Sequence, residues 1–551
     1  MDVVVAPTAG GAALVVLGDP TPAVPRQLSW EELAERVVEL EGQSARWVWP
    51  DTDVVYRRLL GAGVRVRRCC DLRLGHAIVA RSSYRRQPLS SANDPRWQPV
   101  DAAEPDPEPS LLDLPLTGLE VSLDEAVAEH RRQLEVVETA QHPERLRLLL
   151  AAESAGALAA AELKHVGLPW DERTHDRQLT ELLGPRPVLG GRPAKLEALA
   201  VRVRAELGAP TLNPDSAPEL LRALHTAGVE VETTRQWELE RVDHPVVEPL
   251  LEYKKLSRLL TANGWSWMAA WVRDGRFRPD YVPAGVVTGR WATRGGGALQ
   301  LPKQIRSAVV ADAGHRLVVA DAAQLEPRIL AAMSRDTAMA RASRAGDLYQ
   351  ALVDDQVVDT RAHAKVAMLG ALYGATAGEA GALMPRLLKA FPAATSWVEE
   401  AARTGERGHV VTTWLGRGSP PAPESWHENQ RRAGQPESSP ADQRRARQQA
   451  RDWGRFTRNF VVQGTAAEWA LCWLADLRLR LTELTTADGQ HPDLVYFLHD
   501  EVIVHTPQPL VPAVTEAVRA AAAQAARLLF GTFPVDFPLD ITAVDNYAQA
   551  I

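Results

Sequence analysis

The sequence is poor in cysteine and lacks long apolar runs. Only three cysteines occur in 551 residues, Cys69, Cys70 and Cys472, and their spacing fits neither a disulfide framework nor a zinc site. No apolar run reaches the roughly 18 residues of a membrane span, and the N-terminus lacks the basic segment of a signal peptide. We therefore expect a cytoplasmic protein with no membrane association.

The chain also lacks the overall positive charge that would indicate a polyanionic partner, because its formal net charge is −8. A local exception lies between Lys254 and Arg306, where ten residues are basic and two are acidic. Such a stretch can contact phosphates. Taken alone, a solvated basic surface is the simpler interpretation.

Composition along the chain predicts several segments. Residues 1–80 alternate short apolar runs with helical patterns, which predicts a small α/β unit. Residues 85–118 are rich in Pro, Asp and Ser and predict a linker or surface loop. Residues 416–449 predict a mobile loop that ends in a basic helix. Further helices are predicted at 30–40, 145–165, 250–260 and 455–480.

The stretch 316–331 predicts an apolar strand at 317–320, then Asp321, then a helix. Pro327 lies early enough in this helix to be tolerated, since first-turn amides have no intrahelical partner. A carboxylate at the end of a buried strand is costly to desolvate unless a cation meets it. An ordinary helix N-cap is the alternative, and on this stretch alone both interpretations stay open.

A β-hairpin is predicted at 495–505, with His499, Asp500 and Glu501 at its tip. Charged residues at a hairpin tip are usually only solvated. If Asp321 and Asp500 converge, however, their oxygens form a site for hard divalent cations. Two Mg²⁺ ions about 4 Å apart would activate an attacking hydroxyl and neutralise a leaving phosphate.

In two predicted helices, residues with side chains suited to ligand binding recur at every fourth position, which places them on one face of the helix. Arg361, Lys365, Leu369 and Tyr373 form a stripe that is cationic at one end and apolar or aromatic at the other, as a nucleoside triphosphate would require. Lys365 is one of only seven lysines among 62 basic residues, so an arbitrary replacement of arginine is less expected there. An amphipathic helix with a basic cap is the alternative.

The second stripe consists of Arg455, Asn459 and Gln463. These side chains can donate to phosphates and to base edges in a minor groove. A solvent-exposed helix face is the alternative.

Taken together and in this order, the elements resemble family A (polymerase-I-like) DNA polymerases of bacterial type, from about Leu150 to the C-terminus. The first palm motif is met by Asp321, Gln324, Leu325, Glu326 and Arg328, the fingers helix by Arg361, Lys365, Gly370, Tyr373 and Gly374, and the palm hairpin by His499, Asp500 and Glu501. The segments 288–291 and 299–302 look like the primer–template contact region.

The resemblance implies an α+β multidomain fold, namely a right-hand polymerase with palm, fingers and thumb that follows a small α/β exonuclease-like (RNase H-like) domain. The implied boundaries are 1–140 for the exonuclease-like domain and 141–551 for the polymerase, with the thumb at about 186–275, the palm at about 276–335 and 460–551, and the fingers at about 336–459. The implied reaction is template-directed addition of deoxynucleotides to a primer 3′-hydroxyl, with release of pyrophosphate.

The resemblance also implies residue roles. Asp321, Asp500 and the carbonyl of Ala322 would bind two Mg²⁺ ions, or Mn²⁺ in their place, with Glu501 and Lys365 completing the catalytic set. The incoming deoxynucleoside triphosphate would contact Arg361, Lys365, Leu369, Tyr373, Glu326 and Gln324. Primer–template DNA would contact Arg290, Arg328, Arg455, Asn459, Gln463 and His499. The implied protein is a monomer associated with the nucleoid.

Departures from the family pattern concern both parts of the chain. Leu369 replaces an aromatic, Ala322 and Ala323 replace a Tyr-Ser pair, and Tyr349 replaces a histidine, so we expect catalysis with altered efficiency or fidelity. Residues 1–140 lack an Asp-x-Glu pair near a first strand, and His130 falls where a last carboxylate is expected. Without paired carboxylates we expect no exonuclease activity. We also expect no 5′-nuclease domain in this length.

Two other functions compete with this interpretation. A single-subunit, phage-type RNA polymerase shares the palm and fingers motifs, but Glu326 argues against it because a bulky acid blocks a ribose 2′-hydroxyl. A catalytically decayed protein that only binds primer–template is the non-enzymatic alternative, which the retained Asp321, Lys365 and Asp500 disfavour.

Overall fold

The computed structural model describes residues 1–18, 24–98, 121–188, 190–344, 346–374 and 378–550. The predicted linker from residue 99 onward and the side chain of Tyr373 lie outside the described part. The chain divides into two compact units. Unit 1 comprises Met1–Val166, Tyr281–Ala292 and Val318–Ala543, and unit 2 comprises Gly167–Asp280, Thr293–Leu317 and Val544–Ile551. In the described residues, no helix combines the length and apolarity needed to span a bilayer.

The strands are, in chain order, β1 Asp2–Thr8, β2 Gly11–Leu17, β3 Arg26–Ser29, β4 Arg46–Trp49, β5 Cys69–Asp71, β6 Leu168–Pro169, β7 Val272–Arg273, β8 Arg276–Phe277, β9 Tyr281–Val282, β10 Ala292–Thr293, β11 His315–Ala322, β12 Asp493–Leu498, β13 Glu501–Pro507 and β14 Leu539–Val544. The helices are α1 Trp30–Glu41, α2 Thr52–Gly61, α3 Leu72–Arg81, α4 Leu123–Glu138, α5 Pro143–Val166, α6 Glu172–Leu183, α7 Ala194–Glu206, α8 Ala217–Thr226, α9 Gln236–Leu239, α10 Val247–Asn263, α11 Trp265–Trp271, α12 Leu325–Ser334, α13 Thr337–Arg344, α14 Leu348–Asp354, α15 Arg361–Tyr373, α16 Gly378–Ala390, α17 Pro392–Glu406, α18 Glu424–Ala433, α19 Pro440–Leu481 and α20 Val511–Phe530.

Unit 1 begins with a five-stranded mixed sheet in the order β3-β2-β1-β4-β5. Strand β1 pairs antiparallel with β2 and parallel with β4. Because side chains alternate along a strand, Val3 and Val5 pack into one core with Trp47, whereas Val4 and Ala6 pack into a second core. Burial of both faces explains the near-continuous apolar runs of these strands. The arrangement is α/β, and its exonuclease-like character stays a prediction.

A second sheet of unit 1 has the order β12-β13-β11-β14. Strands β12 and β13 form the predicted hairpin, which closes with Leu498 opposite Glu501. Strand β11 contains the predicted strand, and α12 follows it with Pro327 in its first turn. Pro327 is tolerated there for the reason expected from the sequence. This sheet therefore brings the first palm motif next to the hairpin tip.

The longest helix, α19, has 42 residues and spans about 63 Å. It begins well before the predicted boundary. The loop predicted within residues 416–449 is wrong over Glu424–Ala433, which form α18, whereas the basic helix predicted at the end of the segment is confirmed by the first turns of α19. Ser439 caps α19 by accepting from the Asp442 amide, and Pro440 occupies its first turn. The Pro and Ser residues of this segment thus mark helix ends, while the buried Trp426 anchors α18.

Unit 2 is mostly helical. Its core contains buried aliphatic side chains of α7, α8 and α10, including Val203, Leu224 and Leu250. A three-stranded sheet in the order β6-β8-β7 adds a cluster in which Trp267 contacts the ring of Phe277 at a centroid distance of 4.9 Å. Unit 2 contains the parts of the basic stretch at 254–280 and 293–306, whereas residues 281–292, with Arg290, belong to unit 1.

A buried ion pair joins the N-terminal sheet region of unit 1 to α19. The guanidinium of Arg478 donates to Glu162 of α5 at 2.6 and 2.8 Å, to the hydroxyl of Tyr56 at 3.2 Å and to the carbonyl of Arg67 at 2.9 Å. The side chain of Arg478 is only 3% exposed. Since every donor direction meets an acceptor, removal of this cation leaves an unpaired buried carboxylate.

We therefore predict that Arg478→Leu lowers the free energy of unfolding by about 3–5 kcal/mol, because Glu162 loses its buried partner. Arg480, two residues further along α19, pairs with Asp476 near the surface and supplies the matched control. Arg480→Leu should cost less than about 1 kcal/mol. Urea unfolding of both variants measures the difference, and equal losses would contradict the role assigned to the buried pair.

Candidate active site

Asp321 and Asp500 come from neighbouring positions in the second sheet. The amide of Ala322 donates to the carbonyl of Asp500, with 2.8 Å between N and O, so the end of β11 lies against the hairpin tip. The N-cap of α12 is Gln324, which makes no side-chain capping bond. The alternative in which Asp321 is an ordinary N-cap is therefore wrong, and its carboxylate does not serve the helix.

The electrostatics of the two carboxyls show the cost of this arrangement. Burial, and then the charge of Asp321, raise the pKa of Asp500 to about 7. Burial, and then the charge of Asp540, raise the pKa of Asp321. Two repelling carboxylates in a half-buried position are stabilised by a divalent cation.

The described residues contain no group of three or more His, Cys, Asp and Glu side chains able to hold a metal ion. The carboxylate oxygens of Asp321 and Asp500 and a nearby backbone carbonyl are the kind of ligands that hard divalent cations take. Magnesium in such sites takes its remaining ligands from water and from substrate phosphates. Glu501 begins β13 directly after Asp500 and is mostly buried.

Two non-glycine residues beside the carboxylates have left-handed backbone conformations. His499 has φ of 52° at the hairpin tip, and Gln324 has φ of 55° between Asp321 and α12. Such conformations are uncommon outside glycine and concentrate at functional sites. Burial lowers the pKa of His499 to about 4, with the charge of Arg290 contributing next, so this ring is neutral at physiological pH.

A pocket adjoins the carboxylates, and an ion pair forms part of its lining. Arg290 donates to Glu326 at 2.5 Å, and both side chains line the pocket together with His499, Asp500 and apolar residues of α19. Of the predicted contacts, the structure thus brings Arg290, Glu326, His499 and Asp500 to one cavity.

The loop that carries Arg290 depends on a close approach that the sequence did not reveal. Gly289 has φ of +87°, and a Cβ atom there would lie 2.6 Å from Nε of Arg417. Arg417 is itself buried and pairs with buried Glu153 of α5. A side chain at position 289 would collide with this guanidinium, so Arg417 supports the loop that carries Arg290. Because Arg417 pairs with a residue distant in sequence, no local sequence pattern indicates its role.

One carboxylate links helix α15 to the segment between β11 and α12. Gln324 donates to Asp347 at 2.7 Å, and Arg361 donates to the other oxygen of Asp347 at 2.6 Å. Lys365, one turn after Arg361, is exposed, and Leu369 is half-buried. Asp347 was not among the predicted site residues. It caps α14 two residues before Tyr349, and an aspartate at such a position could have indicated it.

The predicted DNA contacts divide into two groups. Arg455 is exposed and pairs with Asp452, while Asn459 and Gln463 follow on α19 and are half-buried. Arg328, by contrast, is fully buried, and it donates to four backbone carbonyls, which belong to Ala323, Ser343, Gly346 and Asp536. A guanidinium saturated in this way does not reach DNA, so the expected contact is corrected to a structural role.

The chain is similar to known proteins in sequence and in fold. The sequence model described as DNA polymerase family A matches residues 221–549. The chain is 28% identical over 342 residues to the thermostable DNA polymerase I of Thermus filiformis, covering 56% of this chain and 37% of that protein. It is 25% identical over 433 residues to the thermostable DNA polymerase I of Thermus aquaticus, covering 68% and 47%. The chain thus spans less than half the length of these relatives.

One solved structure shows the fold. The POL domain of Pol1 from M. smegmatis, in complex with DNA primer-template and dNTP, superposes with a TM-score of 0.69 at 18% identity, covering 100% of this chain and 95% of that chain. All of these matches are DNA polymerases, so they give no support to the RNA polymerase alternative.

The raised pKa of Asp500 predicts a pH-dependent loss of stability in the metal-free protein. An unfolded aspartate titrates near pH 4, so between about pH 4 and about pH 7 the folded state binds more protons and stability falls as pH rises. Asp500→Asn removes this loss. With chelator present, the Tm of the variant relative to wild type should rise by a few degrees between about pH 5 and about pH 8.

The matched control is Asp355→Asn, which changes an exposed carboxylate and should leave the relative Tm independent of pH. Differential scanning calorimetry measures both. A relative Tm of Asp500→Asn that stays constant with pH would contradict the electrostatic account of the carboxylate pair.

Proposed function

Because the chain belongs to DNA polymerase family A, we propose that it catalyses template-directed DNA synthesis from a primer 3′-hydroxyl. The observation that carries this proposal is the pair of carboxylates, Asp321 and Asp500, held on adjacent backbone segments of one sheet. Beside the pair lie a pocket and, through Asp347, the cationic start of α15. A metal-assisted phosphoryl transfer needs carboxylates that bind the metal, space for the substrate and cations that bind its phosphates.

In the proposed reaction Asp321, Asp500 and the carbonyl of Ala322 would hold two Mg²⁺ ions. Bound ions supply the Lewis acidity that activates the primer hydroxyl and neutralises the departing pyrophosphate. Arg361 and Lys365 bind the triphosphate as point charges on one helix face. Since Arg361 is paired with Asp347 in this structure, triphosphate binding competes with that ion pair.

Selection of the sugar is proposed for Glu326, with Tyr373 as its partner from α15. Glu326 lies in the pocket and is held by Arg290, so its carboxylate is fixed rather than free to swing away. A fixed acid beside the sugar disfavours a 2′-hydroxyl. Arg290, His499, Arg455, Asn459 and Gln463 are proposed to hold the primer–template beside the nascent pair. Leu369 offers less stacking area to the base than an aromatic would.

The N-terminal sheet region is proposed to lack exonuclease activity, because its carboxylates are already engaged. Asp2 accepts from Arg46 at 2.9 Å and contacts Nε2 of His130 at 3.0 Å. Asp51 caps α2 and pairs with Arg73, and Asp53 pairs with Arg57. Within the described part of the chain Asp71 has no arginine partner, but it caps α3 and accepts from the Thr52 hydroxyl at 2.7 Å. Carboxylates engaged in these ways are less available as the shared ligands of a two-metal site.

A primer-extension assay with Mg²⁺ tests the proposed synthesis. Asp500→Ala and Asp321→Ala should each lower the rate on the order of a thousandfold, since several kcal/mol of transition-state stabilisation is lost. Asp488→Ala removes an exposed carboxylate from the turn between α19 and β12 and should change the rate less than about threefold.

If wild type binds primer–template but extends nothing, the decayed-palm alternative replaces the proposal. The same assay with ribonucleoside triphosphates separates the enzyme classes, because efficient ribonucleotide incorporation by wild type would favour an RNA polymerase.

The exonuclease proposal predicts that a 3′-labelled single strand stays intact in the presence of wild-type protein and Mg²⁺. A degrading activity that is abolished by Asp51→Ala or Asp53→Ala, and spared by Asp500→Ala, would contradict it. The last variant is the control, because it disables the polymerase site alone.

A further inference from the structure

The N-terminal half of α19 carries a row of four arginines, and only Arg455 among them has a role in the reaction proposed above. Arg444, Arg447, Arg451 and Arg455 occupy positions i, i+3, i+7 and i+11, and all four are exposed. At 100° per residue they lie within about 80° of one another, on one face of the helix. We call these four residues the arginine stripe.

The stripe has few intramolecular partners. Arg455 pairs with Asp452, and Arg451 donates to the neutral Gln448 at 2.8 Å. Within the described residues, Arg444 and Arg447 form no ion pair. Arginines that are not neutralised by carboxylates keep their charge available for an anionic partner, unlike the engaged arginines on α17 and α18.

The stripe continues the row proposed to contact DNA. Arg455 is followed on α19 by Asn459 and Gln463, and further along the same helix Ala466, Ala467 and Ala470 line the pocket that contains Asp500. From Arg455 the stripe runs back to Arg444 over about 16 Å of helix axis, in the direction that leads away from the pocket. A strand that leaves the active site along α19 would therefore meet the stripe.

A groove connects the stripe to the end of the fingers helix. Arg451 and Arg455 line it together with Gly374, which ends α15, and with Arg458. Glu399 and Glu406 of α17 also line it, but Glu399 pairs with Arg458. Among the described residues that line the groove, Arg451 is the arginine that forms no ion pair. Arg451, with Arg444 and Arg447 on the same helix face, therefore supplies the charge available to a phosphate backbone.

We propose that the arginine stripe binds the phosphates of the uncopied, single-stranded template ahead of the insertion site. This inference rests on the proposed polymerase function and extends it to a second DNA-binding track. At 3.4 Å per stacked nucleotide the stripe is about as long as five nucleotides. The contacts are to phosphates, so they add affinity without sequence preference.

The test measures binding of hairpin primer–templates by the full chain, using fluorescence anisotropy and 5′ template overhangs of about one or about ten nucleotides. Wild type should bind the long overhang more tightly. Arg444→Gln with Arg451→Gln should remove most of this advantage and leave affinity for the short overhang unchanged. On the long overhang, the slope of log Kd against log salt should become shallower by about 1.4, or 0.7 for each lost single-strand contact.

Two control proteins sharpen the result. Arg444→Lys with Arg451→Lys keeps the charges and should retain most of the advantage. Arg403→Gln with Arg407→Gln removes two exposed arginines of α17, which pair with Glu400, and should bind both substrates as wild type does.

The proposal is overturned if the glutamine variant keeps the wild-type ratio of affinities, or if it weakens both substrates equally, which would indicate duplex contacts. It is also overturned if wild type gains nothing from the longer overhang. Incorporation of one deoxynucleotide on the short overhang, measured with the same proteins, tests the polymerase function separately. Incorporation without an overhang effect refutes the stripe alone, and absence of binding and of incorporation refutes both.

Discussion

The structure depends on keeping two like charges close together. Asp321 and Asp500 lie on backbone segments joined by one hydrogen bond from the Ala322 amide, and burial makes their mutual repulsion costly. The fold cannot relieve this by rotating either strand end, because the ladder between β11 and β13 fixes both. An unfavourable pair that the backbone holds in place is a site prepared for a divalent cation. The repulsion between these carboxylates lowers the stability of the protein, but the proposed chemistry requires both of them at this edge of the sheet.

Buried cations elsewhere supply the rigidity that this edge needs. Arg328 ties the start of α12 to four carbonyls, Arg417 supports the loop of Arg290 from below, and Arg478 joins α19 to the N-terminal region. Each guanidinium offers several donors in a fixed plane. Those of Arg328 and Arg478 each meet several acceptors, and Arg417 donates to Glu153. The N-terminal sheet region, whatever its ancestry, thus contributes to the framework of unit 1 through Glu162 and Tyr56. The carboxylates engaged by Arg46, Arg73 and Arg57 in that region fit a supporting rather than a catalytic part.

Much of the fold could be predicted from the sequence, because apolar periodicity and helix-capping residues are local signals. The strand before Asp321, the hairpin around Asp500 and the helix α15 follow from apolar periodicity and turn residues. The segment 416–449 was misjudged because Pro and Ser at helix ends resemble loop composition until Trp426 and the Ser439 cap are placed. The burial of Arg328 and the roles of Asp347 and Arg417 depend on partners distant in sequence, and an arginine that saturates carbonyls has the same local pattern as one that contacts DNA.

The most direct measurement of the central claim is anomalous diffraction from crystals of the full chain with Mn²⁺, a primer–template and a non-hydrolysable deoxynucleotide analogue. The account predicts two ions about 4 Å apart, bridged by the carboxylates of Asp321 and Asp500, with the phosphates directed at Lys365. Ions that bind elsewhere, or that contact only one of the two aspartates, would contradict it.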